Sequence, residues 1–458
     1  MEHLEHITTS IFDIFKIGPG PSSSHTIGPM NAAHDFRHSI LKLPKETLNK
    51  ATHIEVHLYG SLSATGKGHG TDRAILAGLF GDKPETCDIK RMLCFFENDD
   101  SYEIDLNGKI IPFDYDCFFY EEIHHLFPYS NTMILELVSR DKTLLEKEYY
   151  SIGGGFIKCK GEEEKKRPVP PYPYCNMNDL KKVLNENNIS LSKLMIENEK
   201  ALTGRSEEEI YTQLDRIIGV MEQSVDRGLV TEGALPGRIQ LMRKAPALYK
   251  LAQEEKDLDV PDRFLIFIDA YALAASEENG AGHMVVTAPT SGASGVIPSL
   301  IYLLKKYFYM KNDLISEGLL AAAAIGFIAK HNASISGAEV GCQGEVGVAA
   351  AMGAAMVAHI DKVPINVVEN AAEIALEHQL GLTCDPIDGY VQIPCIERNA
   401  VAAVEAYNAY LLATAGDPKK QKISFDQVVE VMLQTGKDMC LKYKETSRGG
   451  LALCDINC

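Results

Sequence analysis

The stretch "GEVGVAAAMGAAMVAHI" at residues 344–360 decides the fold class of the second half of this chain. It consists mostly of alanine, glycine and valine and is apolar on nearly every side of a helix. A helix of that kind is buried, and small side chains let neighbouring helices approach closely. The stretches at 321–332 and 399–416 have a similar composition. We therefore predict an all-α second half, in which central helices are wrapped by others.

The first half combines helix and strand signals. "HIEVHLYGSL" at 53–62 alternates apolar and polar residues as a strand does. Asn107-Gly108, between two alternating runs, predicts a hairpin, and a second antiparallel pair is predicted to turn at Arg140-Asp141. A charge run followed by prolines is typical of a linker. The predicted fold is α+β in three parts: an α/β domain at 1–157, a linker at 158–178 and an all-α domain at 179–458.

Composition and charge limit the classes of function. The chain has 458 residues and a net charge of −18, whereas nucleic acids and anionic membranes need a basic surface. The longest apolar run, Gly318–Ala329, is shorter than the ~20 residues that span a bilayer. The first thirty residues lack the pattern of a secretion signal. We expect a cytoplasmic protein whose eleven cysteines do not form a disulfide framework.

A loop near the N-terminus carries three serines and a histidine. "PSSSHTIGP" at 21–29 places Ser24, His25 and Thr26 just before a predicted helix. Hydroxyl and backbone N–H groups at a helix start suit an anion such as a carboxylate. A flexible loop with an ordinary helix cap is the alternative.

A second loop of the first half is rich in glycine. "YGSLSATGKGHGTD" at 59–72 places Lys67 and His69 between a strand and a helix. Its spacing fails the phosphate-loop motif G-x-x-x-x-G-K-[ST], so a nucleotide site is not expected. Polar side chains at such a turn can face a cleft, although a solvated histidine on a capped turn is equally compatible with the pattern.

The second half contains another loop of small residues, "TAPTSGASGVIP" at 287–298. Because small residues expose backbone N–H groups at a helix start, this loop suits an anion. The anion could be a substrate carboxylate or the phosphate of pyridoxal phosphate, and a plain capped helix start is the alternative. The candidate binding residues are Thr290, Ser291, Gly292 and Ser294.

Three cysteines of the second half lie in stretches interrupted by glycine or proline. Cys342 and Cys384 are separated by 41 residues, and Cys384 and Cys395 by 10. None forms the C-x-x-C pair of a zinc ribbon. Three such thiolates could hold three irons of a [4Fe–4S] cluster and leave the fourth iron without a protein thiolate. Three buried structural cysteines are the alternative.

Taken together, these motifs resemble those of the bacterial iron–sulfur L-serine dehydratases, or L-serine ammonia-lyases. The resemblance rests on six segments in order: "PSSSHTIGP", "YGSLSATGKGHGTD", "TAPTSGASGVIP", "EVGCQGEVG", "LTCDPIDG" and "IPCIERN". It implies the single-chain form of the family. The N-terminal domain is expected to be similar to the allosteric substrate-binding domain of some phosphoglycerate dehydrogenases, and the helical domain to be catalytic.

The resemblance also implies an activity. Cys342, Cys384 and Cys395 are expected to ligate a [4Fe–4S] cluster, and a homodimer is expected to convert L-serine to pyruvate and ammonia without pyridoxal phosphate. An open iron can act as a Lewis acid on the β-hydroxyl, while a histidine takes the Cα proton. We predict His69 or His25 as that base, with His69 favoured. Ser24, Thr26, Lys67 and the loop at 290–294 are the predicted substrate-binding groups.

The last residue, Cys458, ends the chain with a thiol and an α-carboxylate. These are the sulfur counterparts of the groups by which an open iron would hold L-serine. We hypothesise that Cys458 is a fourth cluster ligand and an intrinsic competitive ligand that the substrate displaces, and that Cys454 is a packing residue.

Two other functions are compatible with parts of the sequence. One is a pyridoxal-phosphate lyase, for which Lys244 and Lys330 are the nearest Schiff-base options. The other is a ligand sensor whose helical half serves as a structural zinc or dimerisation module. The visible absorbance of the anaerobically purified protein distinguishes them from an iron–sulfur enzyme.

Overall fold

A computed structural model describes residues 6–97, 101–140, 142–162, 167–254 and 260–454 of the protein. The first half combines a five-stranded sheet with helices, and the second half is almost entirely helical. The predicted α+β class is therefore confirmed.

The first half is built around a mixed sheet. The strands of the first half, which include those outside this sheet, are β1 (Ile17–Pro19), β2 (His53–Leu58), β3 (Tyr102–Leu106), β4 (Lys109–Phe113), β5 (Phe118–Tyr120), β6 (Thr132–Ser139), β7 (Lys142–Ser151) and β8 (Ile157–Cys159). The helices are α1 (Ile11–Ile14), α2 (Gly28–Ile40), α3 (Lys45–Leu48), α4 (Ser61–Thr65), α5 (Thr71–Phe80) and α6 (Ile89–Leu93). The sheet order is β5-β2-β6-β7-β8, and only β2 and β5 pair in parallel.

The alternation predicted at residues 53–62 holds for the strand itself. Ile54, Val56 and Leu58 of β2 are fully buried, whereas the residues between them are partly exposed. The strand ends at Leu58, earlier than predicted. Gly60 adopts φ 60°, a left-handed conformation that turns the chain, and Ser61–Thr65 forms a helical turn.

Both predicted hairpins are present. β3 and β4 pair antiparallel, and their turn residues Asn107 and Gly108 have φ of 55° and 87°, as a type I′ turn requires. β6 and β7 also pair antiparallel, with Arg140 at φ 54°. Asp141 lies outside the described residues.

The second half contains one short strand, β9 (Met284–Val286), among its described residues. Its helices are α7 (Met177–Asn187), α8 (Leu191–Thr203), α9 (Glu207–Gly228), α10 (Ala245–Glu254), α11 (Val260–Gly280), α12 (Val296–Lys306), α13 (Asn312–Asn332), α14 (Gly337–Val340), α15 (Val346–Ile360), α16 (Ile365–Glu377), α17 (Cys395–Ala415) and α18 (Phe425–Asp438).

Helix α15, which contains most of the opening stretch, is the centre of this half. It is buried along almost its whole length and packs against α12, α13, α16 and α17. A Cβ on Gly353 would lie 2.6 Å from Leu300 Cδ1 and 3.2 Å from the Cβ of Ala406. Small residues therefore permit the close packing that the composition predicts.

Helix α13 is long and apolar enough to cross a membrane by length and composition alone. Within the protein, however, 78% of the most apolar 18-residue stretch of this helix is buried. This burial is that of a helix in a protein core.

The first residues of the chain belong to the core of the helical half. Ile11, Ile14 and Phe15 pack with the buried helices, and β1 pairs antiparallel with β9. The predicted division at 157 and 178 stays a prediction. The described ends of the intervening segment are ordered into the fold, since β8 includes Cys159 and Tyr174 is only 4% exposed.

Candidate active site

A cavity of about 370 Å³, counting its opening to solvent, lies where the two halves meet. Its lining comes from both halves: Ser22, His69, Gly292, Cys342, Glu345, Val346, Cys384, Pro386, Val391, Cys395 and Glu445. The halves touch here through backbone, because a Cβ on Gly68 would lie 2.8 Å from Gly389 O. The loop that carries His69 is thus held directly against the loop that follows Cys384.

The three cysteines selected from the sequence line this cavity together. Cys342, Cys384 and Cys395 are buried and unpaired. Cys342 follows Gly341, whose φ of 75° turns the chain away from α14. Cys384 lies in a loop, and Cys395 begins α17. The fold therefore brings thiols from three separate segments to one site.

The thiols differ in their preference for the charged form. A hydrogen bond from the Cys384 thiol, together with the positive charge of Arg398, lowers the pKa of Cys342 despite its burial. The same hydrogen bond raises the pKa of Cys384, and burial raises that of Cys395. Cys342, Cys384 and Glu345 place ligand atoms within 4.8 Å of one another. These groups could hold a metal, whose charge would favour thiolates.

His69 presents a basic nitrogen in the cavity lining. Its ring is 1% exposed, and Nδ1 lies 2.8 Å from the carbonyl oxygen of Thr65. Because a carbonyl oxygen only accepts hydrogen bonds, Nδ1 carries the proton and Nε2 is left with a lone pair. Burial lowers the pKa of His69 to about 4, so the ring is neutral at pH 7 and can accept a proton.

His25 lies behind His69, and their ring centroids are 4.4 Å apart. Both of its ring nitrogens have partners: Nδ1 lies 2.9 Å from Ser24 Oγ, and Nε2 lies 3.1 Å from the hydroxyls of Ser61 and Thr65. Burial lowers the pKa of His25 well below its usual value. Of the two histidines, only His69 lines the cavity.

The predicted substrate-binding residues of the first half lie outside the cavity lining. The Thr26 hydroxyl donates to His69 O at 2.9 Å and so fixes the His69 loop. The Ser24 hydroxyl is engaged with His25. Lys67 is exposed, and its ammonium lies 4.8 Å from the ring centroid of Tyr115. The structure does not bring Ser24, Thr26 or Lys67 to the cavity lining.

The loop at 290–294 does reach the cavity, through Gly292. It is held by Asn399, whose Oδ1 accepts from Gly295 N and whose Nδ2 donates to Gly292 O, both at 2.8 Å. The hydroxyls of Ser291 and Ser294 are buried and have no hydrogen-bond partner among the described residues, whereas the hydroxyl of Thr290 interacts with Glu345 and favours the charged form of that carboxyl group. Buried polar groups without partners are uncommon, but Thr290, Ser291 and Ser294 are not among the described residues that line the cavity.

Two glutamates at the site were not predicted from the sequence. Glu345 lies 4.0 Å from Cys342 Sγ and 3.9 Å from Cys384 Sγ. Glu445 lies within 3.4 Å of both Ser24 Oγ and His25 Nδ1. Burial raises the pKa of each glutamate to about 8. The acidic residue in the glycine-rich segment "KETSRGG" (444–450), after the last long helix, was the available signal for Glu445.

Neither lysine considered for a Schiff base lines the cavity. Lys244 is 53% exposed and pairs with Glu397. Lys330 lies over the ring of Phe156, 4.4 Å from its centroid. Cys458, the predicted fourth ligand, lies outside the described residues.

Comparison with known families accounts for nearly the whole chain. The family model for the serine dehydratase alpha chain matches residues 186–452, and that for the serine dehydratase beta chain matches residues 10–162. The chain belongs to the serine dehydratase family. The resemblance expected from the sequence motifs is confirmed.

Similar proteins of this family carry both parts in one chain. L-serine dehydratase 2 of Escherichia coli (strain K12) is 45% identical over 98% of this chain and 99% of its own length. L-serine dehydratase of Haemophilus influenzae is 44% identical over 97% of this chain and 98% of its own. L-serine dehydratase of Helicobacter pylori is 39% identical over 97% and 98%, respectively.

The two family matches divide the cavity between them. Ser22, His25 and His69 fall within the serine dehydratase beta-chain match, whereas all three cysteines and both glutamates fall within the alpha-chain match. The basic nitrogen and the thiols are therefore brought together only by the docking of the two parts.

Proposed function

We propose that the protein is a cytoplasmic L-serine dehydratase, an L-serine ammonia-lyase that converts L-serine to pyruvate and ammonia with a [4Fe–4S] cluster. The observation that carries the proposal is the convergence of three buried thiols and His69 on one cavity. Membership of the serine dehydratase family supports the substrate.

The donor set of the cavity fits an iron–sulfur cluster. Cys342, Cys384 and Cys395 supply three thiols, the usual ligands of such clusters, and are buried away from water. When bound to them, the cluster supplies a Lewis-acidic iron that stabilises the departing β-hydroxyl.

The remaining steps are assigned to the chain's own groups. His69 Nε2 takes the Cα proton, the electrons of that bond form the Cα–Cβ double bond, and hydroxide leaves Cβ. The 2-aminoacrylate so formed tautomerises to an imine, which water hydrolyses to pyruvate and ammonia. His25 positions His69 by stacking and is not itself the base.

The substrate carboxylate is assigned to the loop at 290–294. The buried hydroxyls of Ser291 and Ser294 have no partner among the described residues, and the small residues of the loop expose backbone N–H groups. A carboxylate bound there would be held on the same cavity as His69.

Cys458 is proposed as an intrinsic competitive ligand of the cluster. The described chain ends close to the site, since Leu451 N donates to Asp385 Oδ2 at 2.8 Å, beside Cys384. We expect Cys458→Ser to abolish a slow activation by L-serine, and Cys454→Ser to retain it. A lag of equal length in both variants would remove this role.

A homodimer is also proposed. Helix α17 exposes the apolar residues Val401, Leu411 and Leu412, which a second copy of the chain could cover. Size-exclusion chromatography with light scattering is expected to give a molar mass twice that of one chain.

The experiment that tests the proposed function is anaerobic purification followed by absorbance spectroscopy and an L-serine assay. We expect a broad brown absorbance that air bleaches, together with pyruvate formation that is lost in parallel. A narrow yellow aldimine band, or a colourless protein that forms pyruvate, would contradict the proposed cofactor.

A further inference from the structure

The segment after helix α18 places an acidic side chain in the cavity. Glu445 is 4% exposed and lines the cavity. Its Oε1 lies 3.4 Å from Ser24 Oγ and 3.4 Å from His25 Nδ1, whereas its Oε2 is buried without a hydrogen-bond partner among the described residues. An unpartnered carboxylate oxygen is costly in the interior of a protein, which points to a ligand that satisfies it.

The backbone at Glu445 is fixed from both halves of the protein. Its N–H donates to Cys384 O at 2.6 Å, and its own carbonyl oxygen accepts from Ser61 Oγ at 2.5 Å. The residue adopts φ 57°, a left-handed conformation that is unfavourable for a residue with a side chain. Strain of this kind persists where the surroundings impose it, and it concentrates at functional sites.

The charges around the cavity favour a cation as the ligand. The lining contains the carboxyl groups of Glu345 and Glu445 and no lysine or arginine among the described residues. L-serine at neutral pH carries one positive group, its α-ammonium. A buried carboxyl group ionises readily only beside a positive charge, and the substrate would bring that charge.

We infer that Glu445 is a further substrate-binding residue, whose carboxylate accepts hydrogen bonds from the α-ammonium of the amino-acid substrate. The inference rests on the proposed function. Because Glu445 contacts His25, which stacks on His69, an ammonium held there places Cα beside the proposed base.

Glu345 is less suited to this contact. Its Oε2 lies about equally far, at 4.0 and 3.9 Å, from the sulfurs of Cys342 and Cys384, so it occupies the part of the cavity proposed for the metal. Glu445 instead groups with His25 and His69, with ligand atoms within 4.8 Å of one another, a set that could also hold a metal ion but contains no thiol. The ammonium is therefore assigned to Glu445 and the metal side to Glu345.

The test compares two ligands that differ only in the α-ammonium group, L-cysteine and 3-mercaptopropanoate. Their affinities are measured by anaerobic calorimetry on the iron-loaded full-length chain, as wild type and as Glu445→Gln. A hydrogen bond to a charged group corresponds to a change of about 10- to 100-fold. We expect that loss for L-cysteine and less than about a twofold change for 3-mercaptopropanoate.

Two further variants complete the design. Glu445→Asp keeps the negative charge and should restore part of the preference for L-cysteine, which guards against a folding defect of the amide variant. Glu397→Gln, an exposed change on helix α17, which begins at Cys395, should leave both affinities unchanged. Equal losses for the two ligands in Glu445→Gln, or an unchanged ratio in both Glu445 variants, would overturn the inference. A wild-type chain that binds no iron or forms no pyruvate would instead overturn the proposed function.

Discussion

Two loops of this protein look alike in sequence and differ in how their hydroxyls are used. In the loop at 22–26, Ser22, Ser24 and Thr26 all have hydrogen-bond partners. In the loop at 290–294, the hydroxyls of Ser291 and Ser294 are buried without a partner among the described residues. The first loop is complete as it stands and supports the histidines, whereas the second is suited to hold a substrate group. Composition alone does not separate a scaffold from a binding site.

The strongest test of this difference removes the group that the first loop supports. We expect His69→Ala to lower kcat about 100- to 10,000-fold, the usual contribution of a general base. The absorbance of the cluster should be unchanged, because His69 is not a proposed ligand. Full kcat with an intact cluster in both His69→Ala and His25→Ala would refute the assignment of the base.

The next largest effect is expected in the loop at 290–294. Ser291→Ala removes a hydroxyl proposed to hold the substrate carboxylate, so KM for L-serine should rise about tenfold or more. The free energy of unfolding should change by less than about 0.5 kcal/mol, since the hydroxyl has no partner to lose. A large loss of stability with an unchanged KM would make this hydroxyl structural.

The opposite pattern is expected for the first loop. Thr26→Val keeps the shape of the side chain but leaves His69 O without its donor. Denaturant unfolding should show a loss of about 1–3 kcal/mol, while KM changes little. If KM rises as far as in Ser291→Ala, Thr26 binds substrate and the contrast between the loops is wrong.

The pH dependence of catalysis sharpens the role of the first loop. A base acts in its unprotonated form, so the rate falls as pH decreases through the pKa of His69, which burial lowers to about 4. We expect kcat at saturating L-serine, which reports the ionisations of the substrate complex, to be nearly constant between about pH 7.5 and 5.5, whereas a base with the ordinary histidine pKa of about 6.5 would lose roughly tenfold. A pH–rate profile with rapid mixing at each pH distinguishes the two.

The smallest effect is expected at Lys67, which the sequence places beside His69 and the structure places over two tyrosine rings. Lys67→Met should alter KM less than about twofold and stability by about 0.5–1 kcal/mol, the value of an exposed cation–π contact. A tenfold rise in KM would return Lys67 to the substrate-binding groups.

Local signals in the sequence were reliable where the structure depends on near neighbours. Asn107-Gly108 predicts its hairpin because few residues accept positive φ, and the small residues of α15 predict their own burial. The end of β2 was missed, since the helical turn at Ser61–Thr65 depends on packing against distant loops.

The same distinction applies to the site. Cysteine and histidine announce their chemistry by residue type, so Cys342, Cys384, Cys395 and His69 could be selected without a structure. Glutamate is common on protein surfaces, so its residue type gives no signal. Glu445 becomes notable only in the structure, where it contacts Ser61, a residue 384 positions earlier in the sequence. The choice of His69 over His25 as the proposed base likewise depends on the structure, which shows that His69 lines the cavity and His25 does not.

The contact between Gly68 and Gly389 sets the distance between the two sides of the site. The spacing between the histidine side and the thiol side is set there by backbone against backbone, with no side chain to absorb an error. A single methyl group at Gly68 would act as a wedge, moving the loop of His69 away from the loop that follows Cys384 while each side kept its own structure. Such a variant would keep both sides of the site and separate them by roughly half an ångström.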